Sequence, residues 1–90
     1  MPEIVIYTRQ FCGFCTMAKR LLDRHGLSYV EFDATGNPEL RAEMIQKAHG
    51  QSTFPQIFFG DQHIGGCDEL YVLDAAGGIQ RMMAASGASA

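Results

Sequence analysis

The segment RQFCGFCTMAKRLL, residues 9–22, sets two thiols, Cys12 and Cys15, three residues apart at the entrance to a helical pattern. Such a pair has three uses: zinc ligation, inert burial or thiol–disulfide exchange. A structural zinc site needs four ligands, which means a second Cys or His pair at matching spacing. The remaining Cys67, His25, His49 and His63 include no close pair. Burial suits Cys15, on the apolar face of the coming helix. It does not suit Cys12, which stands beside Gly13 at the mouth of a strand-to-helix loop. Exchange chemistry fits both. A helix starting at or just after Cys12 aims unsatisfied N–H groups and the positive end of its dipole at that sulfur. These favour thiolate over thiol and pull the pKa below the free value of about 8.5, and only a thiolate attacks sulfur. Arg9, three residues upstream, adds positive potential. Cys12 is therefore the expected nucleophile and Cys15, one turn deeper, the resolving thiol. Their helical spacing falls inside the Cα separation that a disulfide needs.

This arrangement demands a strand before the loop and a helix after it, and the chain supplies both. EIVIYT (3–8) is a β-branched and aromatic run with the length of a buried strand. From Cys15 the apolar positions Ala18, Leu21 and Leu22 recur at helical spacing, and Gly26 is placed to cap the helix. LSYVEFD (27–33) reads as a second strand, and TGNP (35–38) then breaks the chain with Asn37 as N-cap and Pro38 at the first helical position. Leu40, Met44, Ile45 and Ala48 stripe a second helix that Gly50 closes. PQIFFG (55–60) and the short strand within GDQHIGG (60–66) make a hairpin. CDELYVLDAA (67–76) returns to helical spacing, IQRMMAA adds a last helical segment, and SGASA reads as a frayed tail. The order is β-α-β-α-β-β-α. A right-handed crossover makes the first two strands parallel, and the hairpin adds an antiparallel pair.

Composition bounds the rest. Ninety residues, 47% apolar and 19% charged, make one small globular domain. A net charge of −3 argues against nucleic acid as partner, and no apolar run approaches the roughly 20 residues that span a bilayer. MPEIVIYT lacks the basic start of a secretory signal, and three cysteines are too few for a disulfide-built secreted scaffold. A reducing, cytoplasmic compartment is the expectation. Lys19 and Lys47 read as solvent-face residues, Tyr7 as core, and nothing singles out the three histidines.

CGFC (12–15), TFP (53–55) and GGCDEL (65–70), in this order and at these spacings, resemble the glutaredoxins, with the similarity running from Ile4 to about Met83. The resemblance implies an α/β, thioredoxin-like fold: a four-stranded mixed sheet flanked by helices, filling a domain of residues 1–85 before a flexible tail of 86–90. It implies that Pro55 is cis and lies beside the reactive cysteine, turning the Phe54 backbone outward to pair with a thiol peptide as an added strand. Thr53 would support that bend. Gly66, Cys67 and Asp68 would open a helix whose free N–H groups take the γ-glutamyl carboxylate of glutathione, with Asp68 meeting its α-ammonium and Cys67 a small buried neighbour. Arg9 or Arg41 would clamp the glycine carboxylate, for which a planar guanidinium fork is suited, and Phe14 would wall the site.

The implied function is glutathione-dependent reduction of glutathionylated proteins and protein disulfides. Glutathione is co-substrate, the partners are glutathionylated or disulfide-containing proteins, and the chain acts as a monomer. Many glutaredoxins carry Cys-Pro-Tyr-Cys, where this chain has Gly13 and Phe14. The single-cysteine members read Cys-Gly-Phe-Ser, with a lysine and an insertion ahead that YTRQFC lacks, so the chain groups with the dithiol class. The missing proline leaves an alternative open: a [2Fe–2S] carrier dimer held by Cys12 and a bound glutathione from each subunit. A thioredoxin-type reductase served by a flavoprotein is disfavoured by the Gly-Gly-Cys-Asp segment and the short chain.

Overall fold

The computed structural model describes residues 3–87. Its elements run β1 (Ile4–Thr8), α1 (Gly13–Arg24), β2 (Val30–Asp33), α2 (Pro38–Lys47), β3 (Gln56–Phe59), β4 (Gln62–Gly65), α3 (Cys67–Ala75) and α4 (Gly78–Gly87). The sheet order is β2-β1-β3-β4. β1 pairs parallel with β2 and antiparallel with β3, and β3–β4 is the expected antiparallel hairpin. The architecture is thus the α/β, thioredoxin-like one, with a fourth helix after the third.

Alternation along the central strands divides the core between the two faces. Ile4, Ile6, Ile57 and Phe59 face one way and pack with Ala18, Leu21 and Leu22 of α1, Cys67 and Leu70 of α3 and Ile79 of α4. Tyr7 and Phe58 face the other way, against Met44 of α2 and Ala48 beyond its end. Tyr7 is core, as its position in β1 implied. Its hydroxyl reaches through the layer to donate to Glu43 Oε2 at 2.8 Å. Burial first, and then that carboxylate, push its pKa up.

Several boundaries differ from the sequence expectation, each for a local reason. The second strand begins at Val30 rather than Leu27. The α1 cap uses the intervening backbone: Gly26 takes a left-handed φ of 68° and Leu27 N–H returns to Leu22 O at 3.1 Å. That is a Schellman closure, and the chain is free to pair only beyond it. At the end of α2 the left-handed position belongs to His49 (φ 57°), and Gly50 N–H bonds to Ile45 O at 2.9 Å. The Asn37 cap is as expected, with Oδ1 accepting Leu40 N–H at 3.1 Å. Lys19 is not a free surface charge: its Nζ lies 3.2 Å from Glu31 Oε2, tying α1 to the edge strand β2. The last helix runs through Gly87, so Ser86 and Gly87 of the expected tail are helical, while 88–90 lie outside the described residues.

Candidate functional site

The site begins at the first turn of α1. Cys12 is the N-cap, extended at φ −114° and ψ 99°, and its Sγ accepts the Cys15 N–H at 3.1 Å. The sulfur occupies the position where an N-cap oxygen ordinarily satisfies a free amide. The first turn of α1 holds no acidic residue to offset the positive helix end. One contact works the other way: the Phe54 carbonyl oxygen, 3.8 Å from Cys12 Sγ, accepts from a thiol but not from a thiolate. The amide is much the closer partner, so the local field favours negative charge on sulfur. Cys12 is half-buried and Cys15 only 2% exposed; the two form a disulfide with Cα atoms 5.2 Å apart. The two sulfurs thus differ in access.

The loop leading to Cys12 is pinned from the side. Gln10 N–H donates to Thr35 Oγ1 at 2.8 Å, and Thr35 N–H donates to Asp33 Oδ1 at 2.9 Å. The Thr35 hydrogen bonds hold the Asp33 carboxyl below the usual carboxylate range. Between them Phe11 adopts a left-handed φ of 57° with its ring 95% exposed.

The Phe54–Pro55 peptide is cis, and Pro55 is fully buried. Arg9 stacks its guanidinium over the Phe54 ring, 5.8 Å from the centroid. Opposite this loop lies the α3 N-terminus, and the glycines before it answer a steric demand. Gly65 has φ 120°, and a Cβ there would fall 2.9 Å from Glu69 Cγ; one on Gly66 would fall 3.3 Å from the Pro55 carbonyl oxygen. A bare backbone at Gly66 lets α3 approach the Pro55 loop without displacing it. Gly66 N–H is taken by Glu69 Oε1 at 2.7 Å. The first intrahelical bond runs from Leu70 N–H to Gly66 O, so the amides of Cys67 and Asp68 precede the helical ladder.

These elements enclose one open cavity of about 860 Å³. Its walls bring together residues that are far apart in sequence: Arg9 and Phe14 from the first loop and helix turn, Arg41 from α2, and Thr53, Phe54 and Pro55 from the loop before β3. Gly66, Cys67 and Asp68 at the start of α3 complete the lining. Cys67 is buried, and burial first, then Asp68 and Glu69, push its thiol pKa up. Glu69 also lines the cavity and was not singled out from sequence, although its spacing three residues after the capping glycine is a recognisable signal. Phe11 and Thr35 line it too, and nothing in their sequence context marks them.

Among the described residues no group of three or more His, Cys, Asp or Glu side chains could hold a metal ion. Cys12 is the accessible sulfur and Cys15 is buried, so a four-sulfur cluster would draw three ligands from outside one chain. Among the described residues no helix is long and apolar enough to cross a membrane.

Comparison with known proteins gives a consistent family. The glutaredoxin family model matches residues 4–64. A glutaredoxin of Pseudomonas aeruginosa is 47% identical over 85 residues, covering 94% of this chain and 100% of the relative. The solution structure of a Brucella melitensis glutaredoxin superposes with a TM-score of 0.80 at 49% identity, covering 91% of this chain and 88% of that one. A buckwheat glutaredoxin solved as a complex with glutathione superposes with a TM-score of 0.82 at 29% identity, covering 96% and 80%.

Proposed function

The chain belongs to the glutaredoxin family of thiol–disulfide oxidoreductases, and from that premise we propose that it draws its electrons from glutathione, with Cys12 as the nucleophile. The observation that carries the reading is the Cys12 sulfur at a helix N-cap, 3.1 Å from a backbone N–H and 3.8 Å from the carbonyl oxygen of Phe54, a residue that lines a cavity together with Arg9, Arg41 and the α3 N-terminus. Glutathione is a peptide with a carboxylate at each end and one ammonium. Arg9 and Arg41 offer cations to its glycine carboxylate, and the Cys67 and Asp68 amides offer donors to its γ-glutamyl carboxylate. The Asp68 carboxylate suits the ammonium. Phe54 presents backbone groups to the peptide's middle, as in strand addition. The glutathione complex of the buckwheat relative supports the same use of this cavity.

The Cys12 thiolate attacks the glutathione sulfur of a protein–glutathione disulfide. The S–S bond of that disulfide breaks, the protein leaves with its sulfur as thiolate and takes a proton from water, and Cys12 is left bonded to the glutathione sulfur. The thiolate of a second glutathione attacks the glutathione sulfur of that mixed disulfide, releasing glutathione disulfide and the Cys12 thiolate. With a protein disulfide, Cys12 attacks one sulfur, and Cys15, deprotonated, then attacks Cys12 Sγ. The reduced protein departs, leaving the Cys12–Cys15 bridge, the state of the present structure. Two glutathiones restore the dithiol. A cytoplasmic, reducing setting and a monomeric chain fit this cycle. The deciding experiment is a coupled assay offering either glutathione with its reductase or thioredoxin reductase as electron donor: turnover is expected with glutathione alone, and turnover only with thioredoxin reductase would overturn the reading.

A further inference from the structure

Gln56, the first residue of β3, is completely buried (0% exposed) directly behind the loop that walls the cavity. Its side-chain Nε2 donates to two acceptors on Thr53, the carbonyl oxygen at 3.0 Å and Oγ1 at 3.1 Å. A carboxamide has two N–H donors on one side and a carbonyl on the other. With both donors committed to Thr53, Gln56 Oε1 faces away and needs a donor of its own, because a buried unpaired carbonyl is costly. That donor is His63 Nε2 on β4, at 2.7 Å. The direction of every bond follows: His63 Nε2 carries the hydrogen, Gln56 passes the polarity on, and Thr53 Oγ1 accepts. The hydroxyl hydrogen of Thr53, an exposed residue on the cavity wall, is then free to donate outward.

His63 is itself firmly held. It is the cross-strand partner of Phe58, and its ring stacks on that ring with centroids 4.9 Å apart. The His49 ring lies 5.7 Å from that of His63, centroid to centroid. β4 carries one extra residue, Ile64, between the Phe58–His63 and Ile57–Gly65 pairs, a bulge of the kind that re-aims a side chain.

We propose that His63, which lies outside the cavity, is a positioning residue for it: acting through Gln56, it fixes the backbone at Thr53 and makes the Thr53 hydroxyl a donor toward an anionic end of glutathione. The identity of that ligand rests on the proposed function, whereas the His63–Gln56–Thr53 relay does not. No residue of the relay touches the reacting sulfurs, so its loss should appear in KM and leave kcat intact.

Two variants separate hydrogen bonding from packing. His63→Phe keeps a flat ring against Phe58 without a donor, while His63→Gln offers an amide N–H near the position of Nε2. With glutathione as varied substrate, His63→Phe is expected to raise KM about fivefold or more, as Gln56 no longer holds Thr53 in place to donate to the ligand, with kcat unchanged, and His63→Gln is expected to restore it. Equal KM values in all three proteins, or equal impairment of both variants, would overturn the proposal. Nitrogen NMR of the labelled wild-type protein requires neither a variant nor a ligand: it should find neutral His63 protonated on Nε2, with slowly exchanging Gln56 side-chain protons. An Nδ1-protonated ring would overturn the relay. Wild-type protein that shows the relay but no turnover with glutathione would instead remove the proposed ligand and its part in the inference.

Discussion

Adding one methyl group at Gly66 tests whether contact between α3 and the Pro55 loop builds the cavity. An alanine Cβ there would sit 3.3 Å from Glu69 Oε1 and 3.3 Å from the Pro55 carbonyl oxygen. Glu69 ends a flexible side chain and can swing aside. The Pro55 oxygen is backbone, attached to a fully buried residue that leads into β3, and it must give by a few tenths of an ångström. Gly66 has φ −95°, a value open to alanine, so the backbone conformation costs nothing extra. Replacing glycine restricts the unfolded chain, which favours folding by about 0.4–1 kcal/mol. Overpacking opposes this by about 1–3 kcal/mol, and the poorer N-cap adds to the loss. The net is a destabilisation of about 1 kcal/mol, with a severalfold rise in KM as the cavity walls separate. Gly13→Ala is the control, because nothing lies within 4 Å of a Cβ at Gly13; there the entropic term acts alone and stabilises by about 0.4–1 kcal/mol. Urea unfolding followed by circular dichroism, with steady-state kinetics on the same samples, measures both. If the two alanines shift stability alike and leave KM alike, close approach at Gly66 does not shape the site.

Cys12→Ser should abolish turnover with glutathionylated and disulfide substrates, whereas Cys15→Ser should retain deglutathionylation and lose reduction of protein disulfides; a retained first activity in Cys12→Ser would refute its role. In the reduced protein iodoacetamide should label Cys12 first and leave Cys67 unmodified until unfolding, since Cys67 is buried and its thiol is pushed up; mass spectrometry of early time points checks the order. Burial, and then the neighbouring His49, lower the pKa of His63, against an opposing pull from Glu69. The unfolded chain therefore binds a proton at about pH 6.5 that the folded protein refuses. Stability from this group falls as pH drops through that value and levels off below the folded pKa. His63→Gln should flatten this part of the pH–stability curve, and an unchanged slope would contradict it.

The active-site helix was legible in the sequence because its signals are local. The apolar spacing from Cys15 to Leu22 and a capping position at Cys12 lie within a few residues of one another. The Asn37–Pro38 start of α2 was read for the same reason. Phe11 and Thr35 at the cavity depend on contacts between segments more than twenty residues apart, such as Gln10 to Thr35, which no local pattern announces. The late start of β2 was missed because strand propensity in 27–29 competes with the closure of α1 by Leu27. His63 looked idle beside a turn. Its partner Gln56 is seven residues away across the hairpin, and a β-bulge sets the register between them. Only folded geometry joins the two.

The central claim is that a helix beginning at Cys12 keeps its sulfur ionised near neutrality. Thiolate absorbance of reduced protein, titrated in a Cys15→Ser, Cys67→Ser background so that one sulfur reports, measures this directly. A midpoint well below the free-thiol value of about 8.5 is the expected result. A midpoint at or above that value would leave the chemistry without its nucleophile.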